Sequence, residues 1–353
     1  MNKRLFVPAA LLAVSLAACG DDDDGPKTDE QYAQEVVDGM RSGLAADLAS
    51  LADKAQALCD AAPTPTGRGW DATMDAAAIE SMKTAWKEAR TGYERTEGAL
   101  APIFSELDFT IDARYDDFLV ENQGAVDPDP FDGELVTGMH AIERILYAPE
   151  IPEHVTTFEM TLDGYAPAAF PATEAQAAEF KTGLCAKFVT DAKALRDQWA
   201  MANTYDLGAA FSGLIGLMNE QKEKVNKAAS SEEESRYSQR TIADLRDNLA
   251  GSKTVYAIFQ PWILAKDGGA AIDSDVQAGF AKLDALYSAI DGDQIPQPPA
   301  TWSSENPSTE DQATPFGKLY IGVRAAVDPN TDGSIVFRLN QAATLMGLDV
   351  SGE

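Results

Sequence analysis

The chain has 353 residues, of which 57 are acidic and 28 are basic, so its formal net charge is −29 at pH 7. Phosphate backbones would repel such a chain, which excludes nucleic acid as an expected partner. Hydrophobic residues make up 45% of the sequence, a share typical of a globular protein with a buried core.

The first residues have the pattern of a bacterial lipoprotein signal. Two basic residues precede an apolar run, residues 5–18, that ends in small residues directly before Cys19. The run is short for a membrane span, and the cysteine stands where a lipid would be attached. We therefore expect removal of residues 1–18 and lipidation of Cys19, with residues 19–28 as a solvated acidic tether. The alternative is an ordinary secretion signal that contains a cysteine by chance.

From Asp29 onward, helix-favouring residues are abundant and the alternating pattern of strands is scarce. The break at 148–173 divides the predicted helical domain, 29–350, into halves of 29–148 and 174–350. A region of this length exceeds a single comfortable core, so we expect an all-α fold of two packed helical bundles. The predicted helices cover residues 30–60, 76–103, 106–119, 133–147, 174–203, 206–229, 238–265, 273–290, 313–326 and 335–347.

Two cysteines remain besides the expected lipid attachment site, and they are Cys59 and Cys185. An exported protein meets an oxidising compartment, so we expect these two to form a disulfide between the predicted helices 30–60 and 174–203. The alternative is a pair of separate buried thiols. Two cysteines so far apart in the sequence do not make a metal-binding cluster.

The predicted helix 76–103 places a carboxylate on its apolar face. Glu97 shares that face with Met82, Trp86, Tyr93, Leu100 and Phe104. Burial of a carboxylate costs several kcal/mol unless a charge, hydrogen bonds or a metal compensates it, so Glu97 needs a partner. Glu94 lies one turn earlier. Arg90 and Arg114 are the rival partners to a metal, in which case the carboxylates belong to a structural ion-pair network.

The next predicted helix, 106–119, adds further acidic groups. Asp108 and Asp112 share one side of it with Tyr115, next to an apolar row. Neighbouring segments therefore direct several carboxylates toward the interior, where a cation would compensate them.

The helix predicted over 133–147 carries one of the two histidines in the chain. Its buried stripe is predicted to consist of Leu135, Met139, Ile142 and Leu146. His140 and Glu143 lie together beside this stripe, one turn apart. A neutral imidazole and an ionised carboxylate so placed can bind one cation, and the small Gly138 leaves room beside them. The alternative is a hydrogen bond between this histidine and glutamate in a packed helix.

Several of these motifs resemble one family when they are taken in order. The stretch "YERTEGALAPIFSELDFTIDARYDDF", followed by "TGMHAIERILY", resembles the imelysin-like domain of EfeO-type iron-uptake proteins with its G-x-H-x-x-E motif. In the second half, "RYSQRTIADLRDNLAG" is similar to the Y-S-x-x-x-x-x-D-x-x-x-N-x-x-G segment of the same group. The resemblance covers most of residues 30–350. It implies a helical fold of two bundle-like halves with a functional site at their interface.

The resemblance also implies which residues form the site. His140 and Glu143 match the motif pair, and Glu94, Glu97 and Asp108 match the acidic positions as candidate metal ligands. Two features depart from the family pattern. Many EfeO-type proteins carry an N-terminal cupredoxin-like domain, and none fits between the expected lipidation site and the first helix. The residue before the motif histidine is often aromatic in the family, whereas here it is a methionine.

The function that the resemblance implies is a non-catalytic lipoprotein of the cell envelope that binds iron or another divalent or trivalent cation for uptake. Oxygen ligands with one imidazole suit iron or zinc. The expected location is the periplasm or the outer membrane, with membrane contact through the lipid and an iron permease or a peroxidase-type enzyme as partner. One alternative is a helical lipoprotein that binds a protein partner. Another is a metal-dependent peptidase, but zinc proteases usually place two histidines one turn apart, and His154 falls in a predicted loop.

Overall fold

The computed structural model describes residues 25–350. The predicted signal segment 1–18, the lipidation site Cys19 and the acidic run 21–24 lie outside the described residues. The predicted all-α class is confirmed, because residues 25–350 form sixteen α-helices and one 3-10 helix and contain no strand. None of the helices in this range combines the length and the apolar character that a membrane crossing needs.

Eight helices precede the centre of the chain, and a Thr28 capping box starts the first of them. They are α1 (Asp29–Gly43), α2 (Ala45–Ala61), α3 (Ala76–Glu94), α4 (Glu97–Leu100), α5 (Ser105–Asp112), α6 (Tyr115–Glu121), α7 (Gly138–Leu146) and α8 (Glu153–Glu159). The predicted helix 76–103 is therefore broken between α3 and α4. At this break the Thr96 hydroxyl donates hydrogen bonds to the carbonyls of Gly92 and Tyr93. These bonds compete with those that backbone N–H groups would donate in a continuous helix.

The second part of the chain holds the longer helices. They are α9 (Glu174–Thr182), α10 (Leu184–Met201), α11 (Leu207–Asn226), the 3-10 helix η1 (Lys227–Ser230), α12 (Thr241–Leu264), α13 (Gly269–Ser288), α14 (Thr309–Ala313), α15 (Pro315–Val327) and α16 (Ile335–Met346). Gly183 separates α9 from α10, where a single helix was predicted. A Cβ at this glycine would lie 2.4 Å from the Asp132 carbonyl oxygen, so the chain turns at the one residue that permits this approach.

The helices pack into two groups that share a continuous hydrophobic core. In one group α2 packs against α3 and α10, and α7 packs against α3, α5 and α10. In the other, α11, α12, α13, α15 and α16 pack together, with α4 against α11 and α12. Helix α10 thus packs on helices of the first half, and the division of the chain into halves at 148–173 stays a prediction.

A disulfide between Cys59 and Cys185 joins the end of α2 to the start of α10. Their Cα atoms lie 5.6 Å apart, and 126 residues separate them in the sequence. Because α10 also packs on α7, the covalent link lies in the same helix group that positions His140.

Three local predictions are wrong, two at the start of α7 and one on α8. Leu135 was predicted to be buried, but it is 50% exposed because α7 begins at Gly138 and not at residue 133. Gly138 has a φ of 83°, and a Cβ there would lie 2.4 Å from the Ile111 carbonyl oxygen. The glycine therefore makes room for the backbone at the end of α5, and not for a cation. His154, predicted to lie in a loop, belongs to α8.

Candidate metal centre

A cluster of buried charges lies where α3, α5 and α7 meet α11, α12 and the segment 231–240. Its central residue is Arg90 of α3, whose side chain is fully buried. Arg90 forms ion pairs with Glu94 and Asp112, with Glu234 at 2.8 Å and with Asp244 at 3.7 Å. One guanidinium therefore holds carboxylates from four separate segments of the chain.

One group within this cluster has the composition of a metal site. Single donor atoms of Asp112, His140 and Glu234 all lie within 4.8 Å of one another. The Nε2 atom of His140 is buried, lies 3.4 Å from Asp112 Oδ1 and makes no hydrogen bond. Asp112 is an ion-pair partner of this nitrogen only when the imidazole is protonated, and a cation would take the place of that proton when the imidazole is neutral.

Glu143 orients His140. Its Oε2 lies 3.0 Å from His140 Nδ1, and its Oε1 accepts a hydrogen bond of 2.8 Å from the Ser238 backbone N–H. A carboxylate beside Nδ1 favours the proton on that nitrogen, which leaves a lone pair on Nε2. The two residues predicted to share a helix face do so, and they contact each other directly.

Charges around the histidine act in opposite directions. Burial and Arg90 lower the pKa of His140, but Asp112 and Glu143 outweigh them and raise this pKa above its ordinary value. Burial alone would raise the pKa of Asp112, whereas Arg90 and His140 hold it well below its usual range. Asp112 is therefore an ionised carboxylate beside the imidazole.

A second group of carboxylates shares Glu234 with the first. Donor atoms of Glu94, Glu97 and Glu234 lie within 4.8 Å of one another. Asn248 donates a hydrogen bond of 2.7 Å to Glu97 Oε2 and a further one to Glu94. Lys224 of α11 lies between Glu97 and Glu234, so this group holds an ammonium of the protein itself. The predicted Glu94 and Glu97 are thus brought together, one as the last residue of α3 and the other as the first residue of α4.

Asp108 lies outside both groups of three. It accepts a hydrogen bond from the Tyr93 hydroxyl. Burial raises the pKa of Asp108 to about 7, although the bond from Tyr93 opposes the shift. Asp108 and Asp112 line the same cleft of about 340 Å³, so Asp108 lies on a path to the site.

A different cleft reaches the two groups from the side of α11. Its volume is about 330 Å³, and Asp112 and Arg114 line it as well as the cleft beside Asp108. The remaining lining residues are Glu97, Glu220, Glu223, Lys224, Lys227 and Glu234. A hydrated cation can therefore approach the buried carboxylates through a polar, mostly acidic opening.

Sequence reasoning missed Asp112 and Glu234 as members of the histidine group. The sequence predicts the side of the helix on which Asp112 lies, but not that Asp112 joins His140. Glu234 lies in "SSEEES", a run that gives no periodic pattern, and its only signal is its position just before the "RYSQR" stretch that resembles the family segment. The two arginines that are the alternative partners to a metal both form ion pairs. Arg90 lies at the centre of the cluster, and Arg114 pairs with Asp116 at 3.3 Å.

Within residues 25–350, His140 and His154 lie at separate sites. His154 lines a separate surface cleft with residues of α8 and of the segment 229–231. Each candidate group within residues 25–350 therefore has at most one histidine. The two-histidine helix of zinc proteases has no counterpart among the described residues.

Comparisons with known proteins agree on one family. The family model described as imelysin (Peptidase_M75) matches residues 41–313. An Efem/EfeO family lipoprotein of Staphylococcus haemolyticus JCSC1435 is 25% identical over 320 residues, which cover 88% of this chain and 96% of that protein. The iron uptake system component EfeO of Escherichia coli K12 is 30% identical over 217 residues, 61% of this chain and 46% of that relative. This chain thus spans about half the length of the EfeO protein.

A solved structure has the same fold. The crystal structure of an imelysin-like protein from Psychrobacter arcticum 273-4 matches with a TM-score of 0.56 at 13% sequence identity. The match covers 92% of this chain and 98% of that one. At this identity the likeness concerns the arrangement of helices alone.

Proposed function

The chain belongs to the imelysin family, and from this premise we propose that it is a cell-envelope lipoprotein that binds a transition-metal cation for iron uptake. The proposed site consists of His140, Asp112 and Glu234. The observation that carries the proposal is the buried Nε2 of His140, which has no hydrogen bond and lies 3.4 Å from an ionised carboxylate. The names of the two sequence relatives, a lipoprotein and an iron-uptake component, support the same function.

The chemistry of these residues fits a transition-metal ion. Imidazole nitrogen and carboxylate oxygen together suit iron and zinc. Glu143 would fix the orientation of His140, as carboxylates behind metal-binding histidines commonly do. Glu97, which lines the cleft beside α11, would contribute negative charge along the approach to the site, which raises the local concentration of cations. Glu94 is buried behind it, and Asp108 lines the other cleft.

We further propose that the protein works at the membrane surface. A lipid on Cys19 would hold it at the periplasmic side of a membrane or on the outer membrane, with the acidic residues 19–28 as a tether. An iron permease or a peroxidase-type enzyme is the proposed recipient or supplier of the metal ion.

Calorimetric titration tests the metal site. The exported protein is titrated with Zn²⁺, and with Fe²⁺ without oxygen. We expect His140→Ala to weaken binding at least about a hundredfold, because it removes a ligand, and Glu143→Gln to weaken it about 10–100-fold, because it only frees the imidazole to rotate. His154→Ala is the matched control and should bind as wild type does.

Two results would count against the proposal. If His140→Ala binds both metals as tightly as wild type, the site is wrongly placed. If the wild-type protein binds neither metal, or if it cleaves peptides when loaded with metal, the function is wrongly assigned.

A further inference from the structure

We infer that Lys224 is an internal counter-cation, which occupies the carboxylate group beside the proposed metal site and leaves it when a divalent metal ion binds. The inference rests on the proposed function, since it describes how the same site is regulated. It assigns a role to a lysine that the metal-binding motif does not include.

The position of Lys224 is that of a bound cation. Its side chain is 10% exposed, and Nζ lies 3.2 Å from Glu97 Oε1 and 2.9 Å from Glu234 Oε2. It also donates a hydrogen bond of 3.2 Å to Asn248 Oδ1. Glu97 and Glu234 are two of the three carboxylates in the second group, so the ammonium lies among donor atoms close enough together to hold a metal ion.

Metal ion and ammonium would compete because the two groups share a residue. Glu234 belongs both to the group with His140 and to the group around Lys224. A divalent cation on Glu234 would stand next to the ammonium, and like charges at such distances in a buried site repel strongly. Binding is therefore most favourable when Lys224 moves away.

Lys224 has a route outward, whereas Arg90 has none. Lys224 lines the cleft of about 330 Å³ that opens between α11 and the segment near Arg114. Glu220, one turn earlier on α11, lines the same cleft and offers a second anionic position for the flexible lysine side chain. Arg90 is fully buried and pairs with four carboxylates, so it stays in place.

This arrangement has a consequence for selectivity. In the metal-free protein Lys224 compensates two buried carboxylates and keeps the site assembled. An incoming cation has to displace it, so the apparent affinity is lower than the intrinsic affinity of the carboxylates and imidazole. The displacement lowers the affinity of every cation by the same factor, so a cation that binds carboxylates weakly, such as Mg²⁺, would fail to bind at concentrations where iron or zinc still binds.

The first experiment compares Lys224→Met with Lys227→Met in the exported protein. Lys227 lines the same cleft, but its partner is Glu223, at 3.6 Å on the surface. We expect Lys224→Met to bind Zn²⁺ roughly tenfold more tightly or better, because the competitor is gone, and to melt at a lower temperature without metal. Lys227→Met should change neither quantity.

The second experiment uses the wild-type protein, so it does not depend on the folding of a variant. Lysines are methylated with formaldehyde and a mild reductant, and the rate at each lysine is measured by mass spectrometry with and without Zn²⁺. We expect Lys224 to react faster when Zn²⁺ is bound, while Lys227 reacts at the same rate in both states.

The outcomes separate this inference from the proposed function. If wild type binds Zn²⁺ but Lys224→Met binds it no more tightly, or if Zn²⁺ does not increase the reactivity of Lys224, the inference is overturned and the metal site stands. If neither wild type nor Lys224→Met binds Zn²⁺ or Fe²⁺, the proposed function fails and this inference fails with it. Tighter binding by Lys224→Met together with metal-dependent exposure of Lys224 supports both.

Discussion

Replacement of Gly138 by alanine tests how the start of α7 is fixed against α5. Two costs add at this position. The backbone has a φ of 83°, a left-handed conformation that costs a residue with a Cβ about 1–2 kcal/mol. The new Cβ would also lie 2.4 Å from the Ile111 carbonyl oxygen, and overpacking of this kind costs about 1–3 kcal/mol. We therefore expect Gly138→Ala to lower the free energy of unfolding by about 2–5 kcal/mol.

The control for this prediction is Gly347→Ala at the end of α16. Gly347 has a φ of 71°, but a Cβ there would meet nothing within 4 Å, so only the backbone cost of about 1–2 kcal/mol applies. Urea unfolding of the two variants compares these free energies directly. The metal affinity of Gly138→Ala should also fall, because a shift of α7 away from α5 separates His140 from Asp112. If Gly138→Ala is no less stable than Gly347→Ala, the close approach of α7 to α5 does not contribute to the stability of the protein.

Two further predictions concern stability. Asp116→Asn should cost about 3–5 kcal/mol at neutral pH because it leaves the buried Arg236 without its carboxylate, whereas the exposed neighbour Asp117→Asn should cost little. Burial alone would raise the pKa of Asp116, but Arg236 holds this pKa well below its usual range. The ion pair therefore stabilises the protein fully above the ordinary carboxyl pKa, and its contribution is lost as the pH falls through the lowered pKa. An Asp116→Asn penalty that persists unchanged in acid would contradict this account. The Cys59–Cys185 disulfide closes a segment of 126 residues, so Cys59→Ser with Cys185→Ser should cost about 3–5 kcal/mol. A reductant should lower the melting temperature of wild type to that of the double variant, and an unchanged wild-type melting temperature would speak against the bond.

The fold class could be predicted from the sequence because helix-forming residues and apolar periodicity extend along nearly the whole described chain. The breaks could not be predicted, because they depend on residues far away in sequence. Gly183 lies at the break of a strongly helical run, and the Asp132 backbone that packs against it is distant in sequence. Helix α8 was missed for the opposite reason: it is short and follows Pro152, and the segment around it has the composition of a loop.

The candidate site was predictable where it lies on one helix. His140 and Glu143 are one turn apart, and helical geometry alone brings them together. That Glu234 lies beside His140 depends on how the segment before α12 packs. In "SSEEES" all three glutamates have the same local pattern, yet Glu232 is partly exposed while Glu233 and Glu234 are buried. Only the tertiary structure decides which carboxylate faces the histidine.

In the proposed metal site, the ion-pair network around Arg90 is a condition for metal binding and not an alternative to it. Burial by itself raises the pKa of a carboxyl group, and an uncompensated Asp112 or Glu234 would take up a proton and lose its value as a metal ligand. Arg90 contacts both and lowers the pKa of Asp112, while Lys224 and then Arg90 lower the pKa of Glu234. Arg90 therefore helps to keep both carboxylates ionised beside His140, and it continues to do so at Glu234 if Lys224 moves away. A site of this kind needs a permanent cation that cannot leave, which a fully buried arginine provides, before a second cation can be bound and released.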